Sequence, residues 1–252
     1  MRFLASAFAF LFVLCAHAER YVPRLMNSND RKIALEILGF GSASKILSNP
    51  YALGGHEGLD FGVSTEYIPV QDLSSLGDKS TRNRELNFYT LSISKGLFYN
   101  VDTTIQFTPA FQKEDVSSYG AQLRWGFYEF PFMPGGLSAV LHGSATNYGS
   151  FLDTRTTGTD LVATVVVENV ALYFGFGEAR SIGTFSGGLV TAGKTESATD
   201  NCDPTSCKAG NEDIKENHTV FGINLAFSTF YASFEIDRYF LSTYSAKLGY
   251  RF

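Results

Sequence analysis

Charge is scarce in this chain: only 18% of its 252 residues are Asp, Glu, Lys or Arg, against about 25% in ordinary soluble domains. Tryptophan occurs once and cysteine three times. A chain so poor in charge, with 15% aromatics, is not disordered, because disorder needs the opposite balance. A coiled coil is excluded as well, since its heptads demand Ala, Glu, Lys and Leu. There is no basic excess either; the formal net charge is −5, which gives no footprint for nucleic acid. Beyond residue 18 no apolar run reaches the ~18 residues that a membrane-spanning helix requires. What the chain has in quantity is 23 Phe, 13 Tyr and 24 Gly.

Residues 1–18 carry the order of a cleavable export signal. Arg2 gives a positive start, Phe3 to Cys15 an apolar run, and Ala16-His17-Ala18 a small-residue cleavage site ahead of Glu19. Leu14 is too bulky for a lipoprotein signal around Cys15. Export leaves Cys202 and Cys207, and an oxidising compartment makes a local disulfide between them the expected state. Only His218 lies near them in sequence, so they are not expected to hold a metal.

The remaining chain alternates with period two, the signature of strands with one apolar and one polar face. Phe61, Val63 and Tyr67 alternate with Asp60, Gly62 and Glu66; Leu123 and Trp125 with Gln122 and Arg124; Phe234 and Ile236 with Glu235 and Asp237. Weaker strands are predicted at 84–95, 136–147, 157–168 and 170–180. Short links at 96–99, 131–135, 168–169 and 228–229 alternate with long ones at 69–83, 148–156 and 181–218. The polar faces carry Gly, Ser, Thr and opposed charges rather than Lys and Glu runs. That pattern fits a transmembrane barrel with a polar lumen, short turns on one side and long loops on the other. Asp102, Gln106, Gln122, Arg124, Glu235 and Lys247 are the predicted lumen-lining residues.

The closing segment Tyr244-Ser245-Ala246-Lys247-Leu248-Gly249-Tyr250-Arg251-Phe252 resembles the last strand of bacterial outer-membrane β-barrel proteins. The resemblance implies an all-β, up-and-down antiparallel barrel of about ten strands (8–12) over residues 58–252. It also implies location in the outer membrane, contact with outer-membrane lipid, and Tyr250 and Phe252 as the signal read by the barrel-assembly machinery. Oligomeric state is left open. Residues 19–57 lie outside the strand pattern. Ile33, Ile37 and Phe40 share a helical face there, so the segment reads as a plug or periplasmic tether, a helix packed under the barrel mouth, or two further strands making twelve. The Asn49-Pro50 turn resembles the N-terminal plug of long-chain fatty-acid transporters.

Two constellations bear on chemistry. His142 and Ser144 share a strand face, as a base and a nucleophile require. They resemble the His-x-Ser of outer-membrane phospholipases and lipid A deacylases, although Ala145 replaces the Asn that follows in those enzymes. The acidic residues of 196–216, including Glu212, Asp213 and Glu216, lack the spacing of a calcium loop and are expected to form a solvated loop. No metal or other cofactor is expected. The leading expectation is a small non-enzymatic barrel with a structural, surface-interaction or narrow-transport role. The alternatives are a lipid hydrolase using His142 and Ser144, and a soluble periplasmic binding barrel.

Overall fold

The computed structural model describes residue 23 and residues 26–48, 58–77, 79, 84–109, 116–149, 151–186 and 210–252. The export signal, Asn49-Pro50, Cys202 and Cys207 lie outside the described residues. Ten antiparallel strands follow one another around a closed barrel. They are β1 (Leu59–Pro69), β2 (Glu85–Gly96), β3 (Val101–Phe107), β4 (Val116–Glu129), β5 (Gly135–Tyr148), β6 (Leu152–Val167), β7 (Val170–Phe185), β8 (Gly210–Phe227), β9 (Phe230–Arg238) and β10 (Ser242–Arg251). The seam joins β1 to β10 from Asp60↔Arg251 to Tyr67↔Tyr244. That pairing leaves no place for the twelve-strand alternative.

Turn lengths define two ends. Residues 97–100, 130–134, 168–169 and 228–229 make the short-turn end, where β1 starts and β10 finishes. Glu168 and Ser228 take positive φ there, the backbone that lets two-residue hairpins follow the strand twist. At the opposite, long-loop end the strands stop and resume across 70–84, 108–115, 149–151, 186–209 and 239–241. Two sequence expectations are corrected here. The 148–156 link shrinks to three residues because Leu152, Thr154 and Thr156 alternate inward and carry β6 on. Residues 210–218 belong to β8, so Glu212, Asp213 and Glu216 are strand residues rather than an acidic loop. Cross-strand pairing supplies what local composition hides: Asp213 binds Arg180, and Glu178 binds Lys215, on the outer face.

The barrel is apolar outside and polar inside, the inverse of a soluble one. Leu123 is 45% exposed and its neighbour Gln122 7%; Leu141 is 56% exposed and His142 5%. Outward residues are apolar from the short-turn end up to Leu161, Phe176 and Phe221, then turn polar at Thr159, Glu178 and Thr219. A spanning strand needs about 9–11 residues. The extra length of β6, β7 and β8 is therefore a polar wall standing above the apolar band. Trp125, Phe127, Phe230, Tyr250 and Phe252 form an aromatic girdle at the short-turn end, as a membrane interface favours.

Inside this wall runs the N-terminal segment. Helix α1 (Ser28–Gly41) is capped by Asn27, whose side chain accepts the Asp30 N–H. It lies against β1, β6, β7 and β8. Ala34, Leu35, Ile37, Leu38 and Phe40 are all buried, as a helix enclosed by a barrel must be. α1 is thus inside the lumen, not under its mouth. Leu35, Ile37 and Leu38 join Ile68, Leu73, Leu86, Phe88, Leu152 and Phe185 in an apolar core at the long-loop end. Residues 42–48 continue down the axis toward the short-turn end.

Candidate functional site

The site is the filled lumen, built in layers by strand positions that alternate inward. At the long-loop end Glu212 of β8 receives Ser28 Oγ at 2.9 Å and Arg31 Nη2 at 2.7 Å, fixing the start of α1. Tyr148 of β5 donates to the Leu38 carbonyl at 2.8 Å, and Thr156 of β6 to that of Gly39 at 3.0 Å. The Gly39 carbonyl is one that a helix C-terminus leaves free, whereas that of Leu38 also accepts the Ser42 N–H and hydroxyl.

Lower down, the segment is held by side chains instead of by apolar packing. Gln106 of β3 donates to the Lys45 carbonyl at 3.0 Å, and Gln122 of β4 donates to Ser44 Oγ at 2.7 Å and to the same carbonyl. Glu235 of β9 accepts the backbone N–H groups of Ile46 (3.1 Å) and Leu47 (2.8 Å), and the Tyr173 hydroxyl at 2.7 Å. Leu47 has φ of 40°, a conformation that a leucine adopts only when its surroundings enforce it. At the short-turn end Arg124 binds Asp102 at 2.6 Å and reaches Ser48 Oγ at 3.0 Å. Lys247 and Tyr231 both donate to Asp60 at 3.0 Å.

At mid-height a belt of ionisable groups surrounds the turn after α1. Lys45 Nζ lies 3.1 Å from Asp237, and Asp237 lies 2.7 Å from His218 Nδ1. His218 Nε2 is 2.7 Å from Asp160 Oδ1, and His142 Nε2 is 3.4 Å from Asp160 Oδ2. Tyr239 stacks on His218 at 4.2 Å, and Phe40 on Tyr239 at 4.7 Å. Lys45 is fully buried, and the Asp237 carboxylate supplies the opposing charge. A buried charge persists only when paired in this way.

His142 and Ser144 share the inner face of β5, but the imidazole is directed at Asp160, and neither of its nitrogens has a hydrogen-bond partner among the described residues. The hydroxyl is therefore not engaged by its candidate base. All six residues predicted to line the lumen are buried inside the barrel. Tyr250 and Phe252 lie at the seam, where the Phe252 N–H donates to the Leu59 carbonyl at 2.9 Å and its ring meets Phe61 edge-on at 6.1 Å. Sequence reasoning did not single out Asp60, Asp160, Asp237 and His218 as site residues. Period-two alternation marks the first three as inward, and could have found them. Lys45 sits on no strand and carries no such signal.

No protein-family model matches the chain, and no curated protein matches it. Solved structures with a similar fold include the N-terminal β-barrel domain of Pseudomonas aeruginosa OprF (12% identity, TM-score 0.34, covering 79% of this chain and 99% of that one). Another is Yersinia pestis Ail, the attachment invasion locus protein, in complex with the heparin analogue sucrose octasulfate (14%, TM-score 0.30, 77% and 97%). A third is the Acinetobacter baumannii outer membrane protein Omp33 (7%, TM-score 0.33, 81% and 100%). At such values the likeness transfers no activity. The ten-strand closed barrel, with its apolar exterior and polar interior, is the architecture of outer-membrane β-barrel proteins.

Proposed function

We propose that the chain is an outer-membrane barrel closed to free diffusion by its own residues 26–48, with a structural or surface-interaction role rather than a catalytic one. In this reading residues 1–18 direct export and are removed, the short-turn end faces the periplasm, and the long-loop end faces the medium. The polar wall of β6, β7 and β8 would then stand clear of the membrane and offer the surface for contact with other molecules.

The observation that carries the reading is the anchoring of residues 26–48 along the whole axis, from Glu212 at one end to Arg124 at the other. A segment bonded at each level obstructs the axis that a solute would follow. Small barrels have interiors that side chains alone nearly fill. Conductance of the refolded protein in a planar bilayer tests this. Intact protein should stay closed, and a variant lacking residues 26–48 should show stepwise openings. Steady conductance by the intact barrel would overturn the proposal.

A further inference from the structure

We propose that His142, Asp160 and His218 form a site for a divalent late first-row transition-metal ion, with zinc the best match. The three side chains come from β5, β6 and β8, and one ligand atom from each lies within 4.8 Å of the others. All three residues are buried. Two imidazoles and one carboxylate make a donor set suited to zinc and its neighbours, whereas calcium and magnesium want oxygen alone.

The way these groups meet points to a shared cation rather than to hydrogen bonds. Asp160 Oδ1 and His218 Nε2 are 2.7 Å apart, yet neither has a hydrogen-bond partner among the described residues, and both nitrogens of His142 are unpartnered too. Buried polar atoms are rarely left so, and each such atom in a native protein calls for an explanation. An ion at the centre would take up a lone pair from each of the three residues. Ligand atoms about 2.0–2.1 Å from a tetrahedral zinc lie roughly 3.4 Å apart. The separation of 3.4 Å between His142 and Asp160 already meets that value. His218 meets the other carboxylate oxygen, Oδ1, at 2.7 Å, so the carboxylate must turn to offer one oxygen, and the three ligand atoms, now within 4.8 Å of one another, must draw in around the ion.

The surroundings of His218 are those of a metal ligand. His218 Nδ1 is 2.7 Å from Asp237, whose carboxylate accepts its proton. With its Nδ1 proton held by Asp237, the ring would offer Nε2 to an ion in place of a second proton, the outer-shell arrangement that orients metal-binding histidines. Tyr239 stacked on the ring and Lys45 paired to Asp237 lock this geometry. The inner faces opposite are bare. A Cβ at Gly158 would run into the His142 ring, and one at Gly177 into the Asp160 carboxylate. Three protein ligands leave a fourth position for water. Because the three residues are far apart in sequence, no spacing motif announces them.

The test is refolding of the full barrel with zinc or cobalt(II), gel filtration to remove free metal, and measurement of metal content. About one ion per chain should remain, and cobalt should give the visible absorption of a low-symmetry nitrogen–oxygen site. His142→Gln and His218→Gln should lose the ion, Asp237→Asn should weaken binding roughly 10–100-fold, and Ser144→Ala should retain it. Folding of each variant is read from strand circular dichroism and heat-modifiable gel migration. Should both histidine variants fail to fold, the copper(II) paramagnetic resonance spectrum of the unsubstituted barrel decides. Coupling to two imidazole nitrogens supports the site, and its absence overturns it. Zinc-free protein after refolding in excess metal, or retention unchanged in folded His142→Gln, also overturns it.

Discussion

Glu235 accepts the backbone N–H of Leu47 at 2.8 Å, and through this bond a strand side chain sets the main-chain path of a segment nearly 190 residues earlier in the chain. With Ile46 and Tyr173 as further donors, both carboxylate oxygens are engaged. Glu235→Ala would leave two buried amides and a hydroxyl unpaired, each costing about 1–3 kcal/mol. The variant should melt well below the parent protein in a heat-modifiability series, with Glu235→Gln between them because one acceptor oxygen survives. Equal melting of all three would mean that the segment is not held by this contact.

The apolar cap at the long-loop end makes a separate prediction. Leu35 is fully buried among Leu152, Phe185 and the other side chains of that core. Leu35→Ala should destabilise by about 2–5 kcal/mol, the usual cost of a leucine-to-alanine cavity. If α1 closes the lumen, the same variant should also open transiently in bilayer recordings. Unfolding transitions and current traces check the two parts independently.

The level of the apolar band can be read by placing arginine on the outer face. Leu123→Arg puts the charge within the band, where it costs about 2–4 kcal/mol. Thr159→Arg, outward on β6 but above the band, should insert into vesicles as the parent does. Comparable insertion yields for both would move the band upward.

Lys247 and Asp60 allow a double-substitution test. Removing one member of a buried pair strands the other charge, a loss of about 3–5 kcal/mol. Lys247→Met should therefore be harmful, and Lys247→Met with Asp60→Asn should recover much of the loss. Urea unfolding of the parent, the two single variants Lys247→Met and Asp60→Asn, and the double variant gives the coupling, and strict additivity would refute it.

The barrel was legible because alternation is a local signal. In β9, Phe230, Ala232, Phe234 and Ile236 face outward and Tyr231, Ser233, Glu235 and Asp237 inward, and the written order of residues is enough to say so. Two features were not legible for physical reasons. The long-loop halves of β6 and β8 carry polar residues outside as well as inside, since that wall stands above the apolar band, and a strand polar on both faces reads as a loop. The descent of residues 42–48 rests on tertiary partners, chiefly Glu235, Gln106 and Arg124, which no periodicity in the segment itself reveals. The mid-height belt combines both cases. Asp160 and Asp237 follow the alternation, whereas their meeting with Lys45 and the two histidines depends on which strands become neighbours.

The seam between β1 and β10 has a bearing on the order of assembly. Its two edges are the first and the last strand, so it joins the segments farthest apart in sequence and is the ladder expected to form last. Residues 26–48 lie within the ring it closes. Entering a finished ring would require α1, with Leu35, Ile37 and Phe40 on its surface, to pass a lumen already lined by paired charges. Closing around a helix already in place requires no such passage. The segment therefore takes its place while the seam is still open, and the ring closes over it.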